Sequence, residues 1–211
     1  MTIKMAIIRN NCFVYKLDEF AVGKRVFQNV ALLVVMPLWL LYLLMSLVAD
    51  RDGLFASFSQ CLSLLPGKIG SFVRVAFYRL TMSDCSADCI ISFGCLFSQR
   101  DTSIAAGVYI GPNCNIGSVS IGPNCLLGSG VHLLSGKGQH SIESLDIPVK
   151  DQGGVFEKIS IGEDSWIGNN AVVMDNVGNH CVVGSGAVVS RAFADYSIVG
   201  GNPAVLIKSR T

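Results

Sequence analysis

A six-residue period in the second half of the chain restricts the fold more than any other feature of the sequence. An aliphatic residue followed by glycine recurs along it, at Ile110-Gly111, Ile116-Gly117, Ile121-Gly122, Leu127-Gly128, Ile161-Gly162, Ile167-Gly168, Val177-Gly178 and Val183-Gly184. Neither a helix nor a hairpin sheet repeats at this interval, whereas a solenoid with one short parallel strand per six residues does. The period therefore predicts a mainly β, triangular coil whose interior is filled by the aliphatic residues.

The fifth position of each repeat is almost always small, which indicates a tight corner. Its occupants are Cys114, Ser120, Cys125, Val131, Ser165, Ala171, Cys181 and Ala187. The register extends back to Cys85, Ile91 and Phe97 at the first position, and to Cys89 and Cys95 at the fifth. We expect the second-position glycines to serve turns with unusual backbone angles, and Asn113, Asn124 and Asn170 to tolerate such angles at the corners.

The same register interprets the cysteines. Five of the eight fall on the small corner position, where a free cysteine serves as a small, buried hydrophobe. We therefore predict packing residues in a reducing compartment rather than disulfides or a nucleophile. The spacing of Cys85 and Cys89 lacks the second pair that a zinc site would need.

The repeat is interrupted twice. A polar, glycine-rich excursion occupies residues 134–158, and a shorter break at Val173–Val177 is interpreted as a tightened corner. Long interruptions of a compact fold are often functional. Reactive groups are therefore sought first in the excursion.

The first 80 residues lie outside the repeat, so the sequence predicts a helical region at 1–80 and a coil domain at 81–211. Residues 30–48 are apolar and carry no charge; as a helix they would be about 28 Å long, close to the thickness of a bilayer core. This segment predicts a membrane anchor. The net charge of +1 gives no indication of nucleic-acid binding.

The charges around this segment favour a particular topology. Five basic residues precede it (Lys4, Arg9, Lys16, Lys24 and Arg25), which favours a cytoplasmic N-terminus. Pro37 would allow the segment to bend back, and the apolar and basic stretch Leu54–Leu80 would lie flat in the interface. We therefore expect a monotopic or re-entrant anchor at a bacterial-type inner membrane, with the coil in the cytoplasm.

Among three histidines, His140 is the candidate for chemistry because it lies in the long excursion. Glu143 and Asp146 follow closely, and either carboxylate could orient the imidazole, with Glu143 ranked first. His132 is expected to point outward from a strand, and His180 to occupy a corner that Asn or Asp would fill as well.

Residues 85–210 resemble the left-handed parallel β-helix (hexapeptide-repeat) acyltransferases, especially the galactoside, xenobiotic and polysaccharide O-acetyltransferase branch. The resemblance rests on the repeat, the His-bearing excursion after Leu133, the Ser-Trp-Ile-Gly block at 165–168 and the Gly-Asn-Pro-Ala block at 201–204. Two departures are Val205, where the family often has a basic residue, and Ser141, where soluble members often have a second histidine.

The resemblance implies a homotrimer that uses acetyl-CoA, bound in clefts between neighbouring coils, and no metal. His140 would be the general base and, with Glu143, the catalytic pair. The donor site would be formed by Trp166 at its wall, by Asn169, Ser185 and Ser190 along the pantetheine arm, and by Arg191 and Lys208, with Arg210, near the nucleotide phosphates.

Several functions remain open at this point. The leading one is O-acetylation of a glycan, an exopolysaccharide precursor or a lipid-linked sugar at the cytoplasmic membrane face. N-acetylation of a nucleotide-linked amino sugar would use the same base, and acetylation of free serine is disfavoured. A γ-type carbonic anhydrase would need a different spacing than His132, His140 and His180 offer. A non-catalytic scaffold would tolerate loss of His140.

Overall fold

The computed structural model describes the backbone of residues 2–210 and the side chains of residues 23–210. Lys4, Arg9 and Lys16, on which the topology prediction partly depends, lie outside the described side chains. Three helices come first: α1 (Thr2–Met45), α2 (Arg51–Ser63) and α3 (Gly67–Thr81). Short strands follow from Asp84 onward.

These strands are β1 (Asp84–Cys85), β2 (Ile90–Ile91), β3 (Leu96–Phe97), β4 (Ser103–Ile104), β5 (Tyr109–Ile110), β6 (Asn115–Ile116), β7 (Val119–Ile121), β8 (Leu126–Leu127), β9 (His132–Leu133), β10 (Ile159–Ile161), β11 (Trp166–Ile167), β12 (Val172–Val173), β13 (Val182–Val183), β14 (Val188–Val189), β15 (Ser197–Gly200) and β16 (Val205–Ser209). They form three sheets. The first contains β1, β4, β7 and β10; the second contains β2, β5, β8, β11, β13, β15 and β16; the third contains β3, β6, β9, β12 and β14. Every pairing is parallel except that of β15 with β16, which confirms the predicted parallel solenoid.

Side chains of the parallel strands point into the coil and stack in three columns, which Val177 and Phe193 join through isolated bridges. The first column is Cys85, Ile104, Ile121, Ile161, Val177 and Phe193; the second is Ile91, Ile110, Leu127, Ile167, Val183 and Val199; the third is Phe97, Ile116, Leu133, Val173 and Val189. All but Phe193 are buried. The predicted first-position residues, including the backward extension to Cys85, are thus confirmed as the core.

The three corners of the coil differ in length. Corner I joins the first sheet to the second, and corner II joins the second to the third; at both, successive core residues are always six positions apart. Corner III joins the third sheet back to the first. Its spacings run from four, between Val173 and Val177, to 28, between Leu133 and Ile161. Both predicted breaks of the repeat therefore fall on this corner.

The glycine prediction needs a correction. The left-handed backbone angles fall at the fourth position of the repeat, where Asn113, Asn124 and Asn170 have φ values of 60°, 59° and 57°. The second-position glycines are required for another reason, because a Cβ there would collide with the next coil. At Gly162 it would lie 2.4 Å from the backbone nitrogen of Asn179.

The corner cysteines are buried as predicted, and they also make hydrogen bonds. The thiols of Cys95, Cys114 and Cys125 donate to the carbonyls of Gly111, Gly128 and Gly162 in the next coil, at 3.0, 3.1 and 2.9 Å. Ser120 is a correction: it points outward from β7, because the repeat that begins at Ile116 is one residue short.

Helices α2 and α3 cap the open end of the first coil. Ser71 and Ser59 accept hydrogen bonds from the backbone N–H groups of Ile91 and Phe97, at 3.2 and 2.9 Å. The buried guanidinium of Arg74 donates to the carbonyls of Ile91, Leu62 and Leu65. The bonds at Ile91 and Phe97 satisfy strand groups that have no neighbouring coil to pair with, and those at Leu62 and Leu65 satisfy carbonyls at the end of α2.

This cap corrects, for the buried residues, the expectation that Leu54–Leu80 lies flat in a membrane interface. Phe55, Phe77, Tyr78 and Arg74 are fully buried between the helices and the coil, so they cannot face lipid or headgroups.

Helix α1 lies along this cap and has two different faces. Its residues 23–45 are, among the described residues, the one helix long and apolar enough to cross a membrane by length and composition. One face packs on the protein through Ala31, Val35 and Tyr42, and Trp39 donates a hydrogen bond to the Leu80 carbonyl at 3.2 Å. The opposite face exposes large apolar side chains, namely Val26, Val30, Leu33, Val34, Leu40, Leu41 and Leu44.

Candidate active site

The excursion at corner III is an ordered arm, not an open loop. Two chain segments, 135–141 and 153–157, run alongside each other and are joined by backbone hydrogen bonds. Glu157 N donates to Ser135 O at 3.0 Å, Val155 N to Gly138 O at 2.8 Å, and Ser141 N to Gly153 O at 2.9 Å. We call residues 135–157 the arm. Lys137 Nζ fastens it to the next coil through Asp175 Oδ2 at 3.1 Å.

The tip of the arm is closed by one side chain. The amide of Gln152 accepts a hydrogen bond from Ser144 N and donates to the carbonyls of Ser144 and Ile147, at 3.0, 2.8 and 2.7 Å. A single 3-10 turn, Val149–Asp151, completes the tip. The backbone of the tip is thereby held without support from the coil.

His140 lies where the paired part of the arm meets the tip, and its imidazole is exposed. The two segments are closest here: a Cβ on Gly154 would lie 2.0 Å from Gln139 O and 2.7 Å from His140 N. Only glycine allows this approach, so the second segment fixes the backbone of His140. Among the side chains that the structure describes, neither Glu143 nor Asp146 is hydrogen-bonded to the imidazole, so the orienting role of Glu143 stays a prediction.

Two of the predicted donor-site residues meet at corner II. Asn169 and Ser185 occupy the same position on successive coils, where Gly186 N donates to Asn169 O at 2.8 Å. The Asn169 side chain also has a structural role, because its Oδ1 accepts a hydrogen bond from Ser129 N at 3.0 Å.

The remaining predicted donor-site residues are distributed over two other places. Trp166 projects from the outer face of the second sheet and is 51% exposed. Lys208 lies three strands away, paired with Ile198, which is roughly 14 Å at the usual strand spacing. Ser190 and Arg191 lie at corner III, where Arg191 stacks over the Phe193 ring at 5.3 Å.

The candidate residues of one chain therefore face three directions: the second sheet, corner II and corner III. A single copy does not gather them around one point. The arm also exposes apolar side chains in one copy, among them Leu145, which is 99% exposed, and Ile142, Val155 and Phe156. Exposed apolar patches of this kind mark contact surfaces.

The other two histidines lie elsewhere. His132 points outward from the third sheet, between Asn115 and Val172, as predicted. His180 occupies the fourth position of a corner I repeat with φ 55°, also as predicted.

His180 belongs to a charged cluster at corner I. Its Nδ1 lies 3.0 Å from Asp164 Oδ2, its ring stacks on Tyr196, and Arg210 lies 3.3 Å from the same carboxylate. The hydrogen bond with His180, and then Arg210, hold the pKa of Asp164 below its usual range. Arg210, predicted to lie near nucleotide phosphates, is thus engaged within the fold.

Comparison with known proteins identifies the repeat. Residues 101–135 and 158–191 match the bacterial transferase hexapeptide (six repeats). The match stops where the arm begins and resumes where it ends. This part of the coil therefore consists of hexapeptide repeats of the bacterial transferase type.

Curated relatives share part of this region. A probable acetyltransferase of Mycobacterium tuberculosis is 42% identical over 73 residues, which are 34% of this chain and 24% of that protein. A chloramphenicol acetyltransferase of Agrobacterium fabrum is 46% identical over 52 residues, which are 24% of this chain and 25% of that protein. This chain spans about a quarter of the length of these relatives.

Solved structures share the fold. A maltose O-acetyltransferase from Clostridium difficile superposes with a TM-score of 0.54 at 14% identity, over 77% of this chain and 90% of that one. A mutant of AntD, an N-acyltransferase from Bacillus cereus in complex with dTDP-4-amino-4,6-dideoxyglucose and coenzyme A, gives 0.51 at 18% identity, over 58% and 70%. At these identities the likeness supports the predicted left-handed β-helix and nothing finer.

Proposed function

We propose that this hexapeptide-repeat protein is an acetyl-CoA-dependent O-acetyltransferase that acts on a glycan, an exopolysaccharide precursor or a lipid-linked sugar at the cytoplasmic face of a membrane. The observation that carries the proposal is the arm. It is the one long departure from the coil in residues 84–210, its backbone is internally paired, and it presents an exposed imidazole on a fixed support. A solenoid that only bound a partner would not need such a support.

The reaction follows from the chemistry of an imidazole. Neutral His140 takes the proton of the acceptor hydroxyl as that oxygen attacks the thioester carbon of acetyl-CoA. The resulting oxyanion needs N–H donors, which the exposed backbone of a neighbouring corner can supply. The imidazolium then gives its proton to the departing thiolate. No acyl-enzyme is required, and the corner cysteines are buried and hydrogen-bonded, so none of them is proposed as a nucleophile.

The active site is proposed to form between copies of a homotrimer. His140 at corner III of one copy would face Trp166 on the second sheet of its neighbour, with Asn169, Ser185, Ser190, Arg191 and Lys208 along the donor. Two features support this. The candidate residues of one copy face apart, and Trp166 lies beside the exposed Leu126 on the outer face of the second sheet.

The membrane placement is supported by the two faces of α1. Contacts at Gln28, Trp39 and Tyr42 bind this helix to α3 and the coil along its length. A complete crossing by α1 alone would break them. We therefore propose that α1 lies in the plane of the membrane surface, with its open apolar face toward lipid.

The test is thiol release from acetyl-CoA on candidate glycans. His140→Ala should slow transfer by about 10²–10⁴-fold, as expected for the loss of a general base. His132→Ala is the matched control, because His132 is an exposed histidine on the third sheet. The control should keep its rate within about twofold. Equal rates for wild type and His140→Ala would refute the mechanism.

The product separates this function from N-acylation of a nucleotide-linked amino sugar. An acetyl ester is cleaved by alkaline hydroxylamine, whereas an acetamide is stable. A stable product on an amino sugar would replace the O-acetylation proposal while leaving the role of His140 in place.

A further inference from the structure

A groove of about 490 Å³ lies far from the arm, where α3 meets the first two coils. One wall is α3, which contributes Phe72 and Val75; the other is the outer face of the second sheet and the adjoining corners. Apart from two lysines, the large lining side chains are apolar, namely Phe72, Val75, Ile90, Phe93, Tyr109 and Pro112. Ile90, Phe93 and Tyr109 remain 50%, 44% and 39% exposed, so apolar surface stays open within it.

The charge of the groove is positive. Lys24 and Lys68 line it, and no carboxylate does. Lys24 is paired with Asp88, whereas Lys68 has no ion-pair partner among the described residues. Arg25 lies in an adjoining concavity of about 290 Å³, whose charged lining residues are Lys24, Arg25 and Asp88. An apolar channel beside Lys68 and an excess of positive over negative charge fits a ligand that has an apolar chain and an anionic head.

The groove also adjoins the open apolar face of α1. Phe27, on that helix, stacks on the groove residue Phe72 with ring centroids 6.0 Å apart. Close to Lys68 in sequence, Leu64, Leu65 and Ile69 expose further apolar surface. A chain leaving a membrane that lies against α1 would therefore reach the groove without crossing water.

We propose that this groove binds the apolar chain of an anionic, phosphate-bearing membrane lipid, with Lys68 at its phosphate. The site rests on the membrane placement in the proposed function, and it adds a specific lipid to that placement. It differs from a general apolar contact because a defined channel holds one chain. A lipid bound there would also set the orientation of the coil relative to the membrane surface.

The experiment uses the full chain in nanodiscs that contain phosphatidylglycerol with a diazirine on its acyl chain. Cross-linked peptides are mapped by mass spectrometry, and phosphatidylcholine with the same diazirine serves as the neutral probe. We expect labelling of residues 67–75 and 87–93 by the anionic probe. Lys68→Glu should reduce this labelling about fivefold or more, since each basic residue near an anionic surface contributes about a factor of five.

Two matched controls are available. Arg79→Glu makes the same charge change at the other end of α3, where Arg79 is exposed, and should leave groove labelling unchanged. Ser92→Trp fills the groove, whereas Ser120→Trp places the same side chain on the outer face of the first sheet. Only the first tryptophan should abolish labelling of the groove.

Three results would overturn the proposal. One is labelling confined to the open face of α1 and unaffected by Ser92→Trp. Another is equal labelling by the neutral and anionic probes. The third is a change of oligomeric state caused by Ser92→Trp, which would mean that a second copy of the chain occupies the groove. Because labelling requires no turnover, the lipid site can fail while acetyl transfer by His140 stands, and the reverse.

Discussion

Corners I and II of the coil differ from corner III in how strongly the stacking of coils constrains their residues. At corners I and II each coil lies directly on the next. Contact between backbones therefore fixes the number of residues in the corner, the glycine at its second position and the left-handed residue at its fourth position. At corner III the spacing varies from four to 28 positions while the core columns continue without interruption. Stability therefore depends on two corners, and the third is available to carry chemistry.

The largest effect should come from removing the arm. Replacing residues 139–154 with Asn-Gly would join Gly138 to Val155, which are already paired, through a two-residue hairpin turn. Acetyl transfer should fall by about 10²–10⁴-fold because His140 is lost. Loop length affects closure entropy only slowly, so the free energy of unfolding should change by about 2 kcal/mol or less. Urea unfolding and thiol release measure the two effects; an unfolded variant would show that the arm is structural.

The same glycine substitution should have opposite results at the two kinds of corner. Gly162→Ala at corner I would place a Cβ 2.4 Å from Asn179 N and 2.5 Å from Gly178 C, both backbone atoms. We expect a loss of roughly 3 kcal/mol in the free energy of unfolding. Gly138→Ala in the arm meets only Val155 O, at 3.7 Å, and should be neutral or stabilising by up to about 1 kcal/mol. Similar losses at both sites, measured by chemical denaturation, would contradict the division between the corners.

Much of the coil could be predicted from the sequence because the repeat is local. A period of six places Ile110, Leu127 and Ile167 in one column without knowledge of any distant contact. The exact cause of each glycine could not be predicted in this way. Gly162 and Asn113 both look like turn residues in sequence, and only the stacking of coils separates close approach from a left-handed angle.

The helical region was harder to predict, because apolar residues of α1 occur both on the face that packs on the protein and on the face that is open. Val35 faces protein and Leu33 faces outward, yet both are aliphatic, so α1 shows no amphipathic pattern. Arg74 belongs to the stretch expected to lie in a membrane interface, yet its side chain is fully buried. Its partners are backbone carbonyls, which leave no mark in the sequence.

The candidate site was predicted residue by residue, but its assembly could not be. Trp166 and His140 are both exposed, and nothing in one chain brings them together. In the proposed trimer a contact between copies would join them, and such a contact depends on surfaces and not on spacing.

The smallest effect concerns the fourth position of corner I, where His180 lowers the pKa of Asp164. A lowered carboxyl pKa contributes stability that is present above the ordinary carboxyl pKa of about 4 and is lost as the pH falls through the lowered value. His180→Asn keeps a residue that tolerates the left-handed angle, so the fold should persist. The Asp164 pKa, followed by NMR titration, should rise, and acid unfolding should begin at a slightly higher pH. An unchanged Asp164 pKa would mean that Arg210 alone holds it.

The most direct measurement of a shared active site is a mixing experiment. His140→Ala and Trp166→Ala chains are each assayed alone at low acetyl-CoA, and are then unfolded, mixed in equal amounts and refolded together. If the active site forms between corner III of one copy and the second sheet of another, about a quarter of the sites in random trimers combine an unmutated His140 with an unmutated Trp166. Activity should then rise to about a quarter of wild type. Activity that stays at the average of the two variants would contradict a site formed between copies.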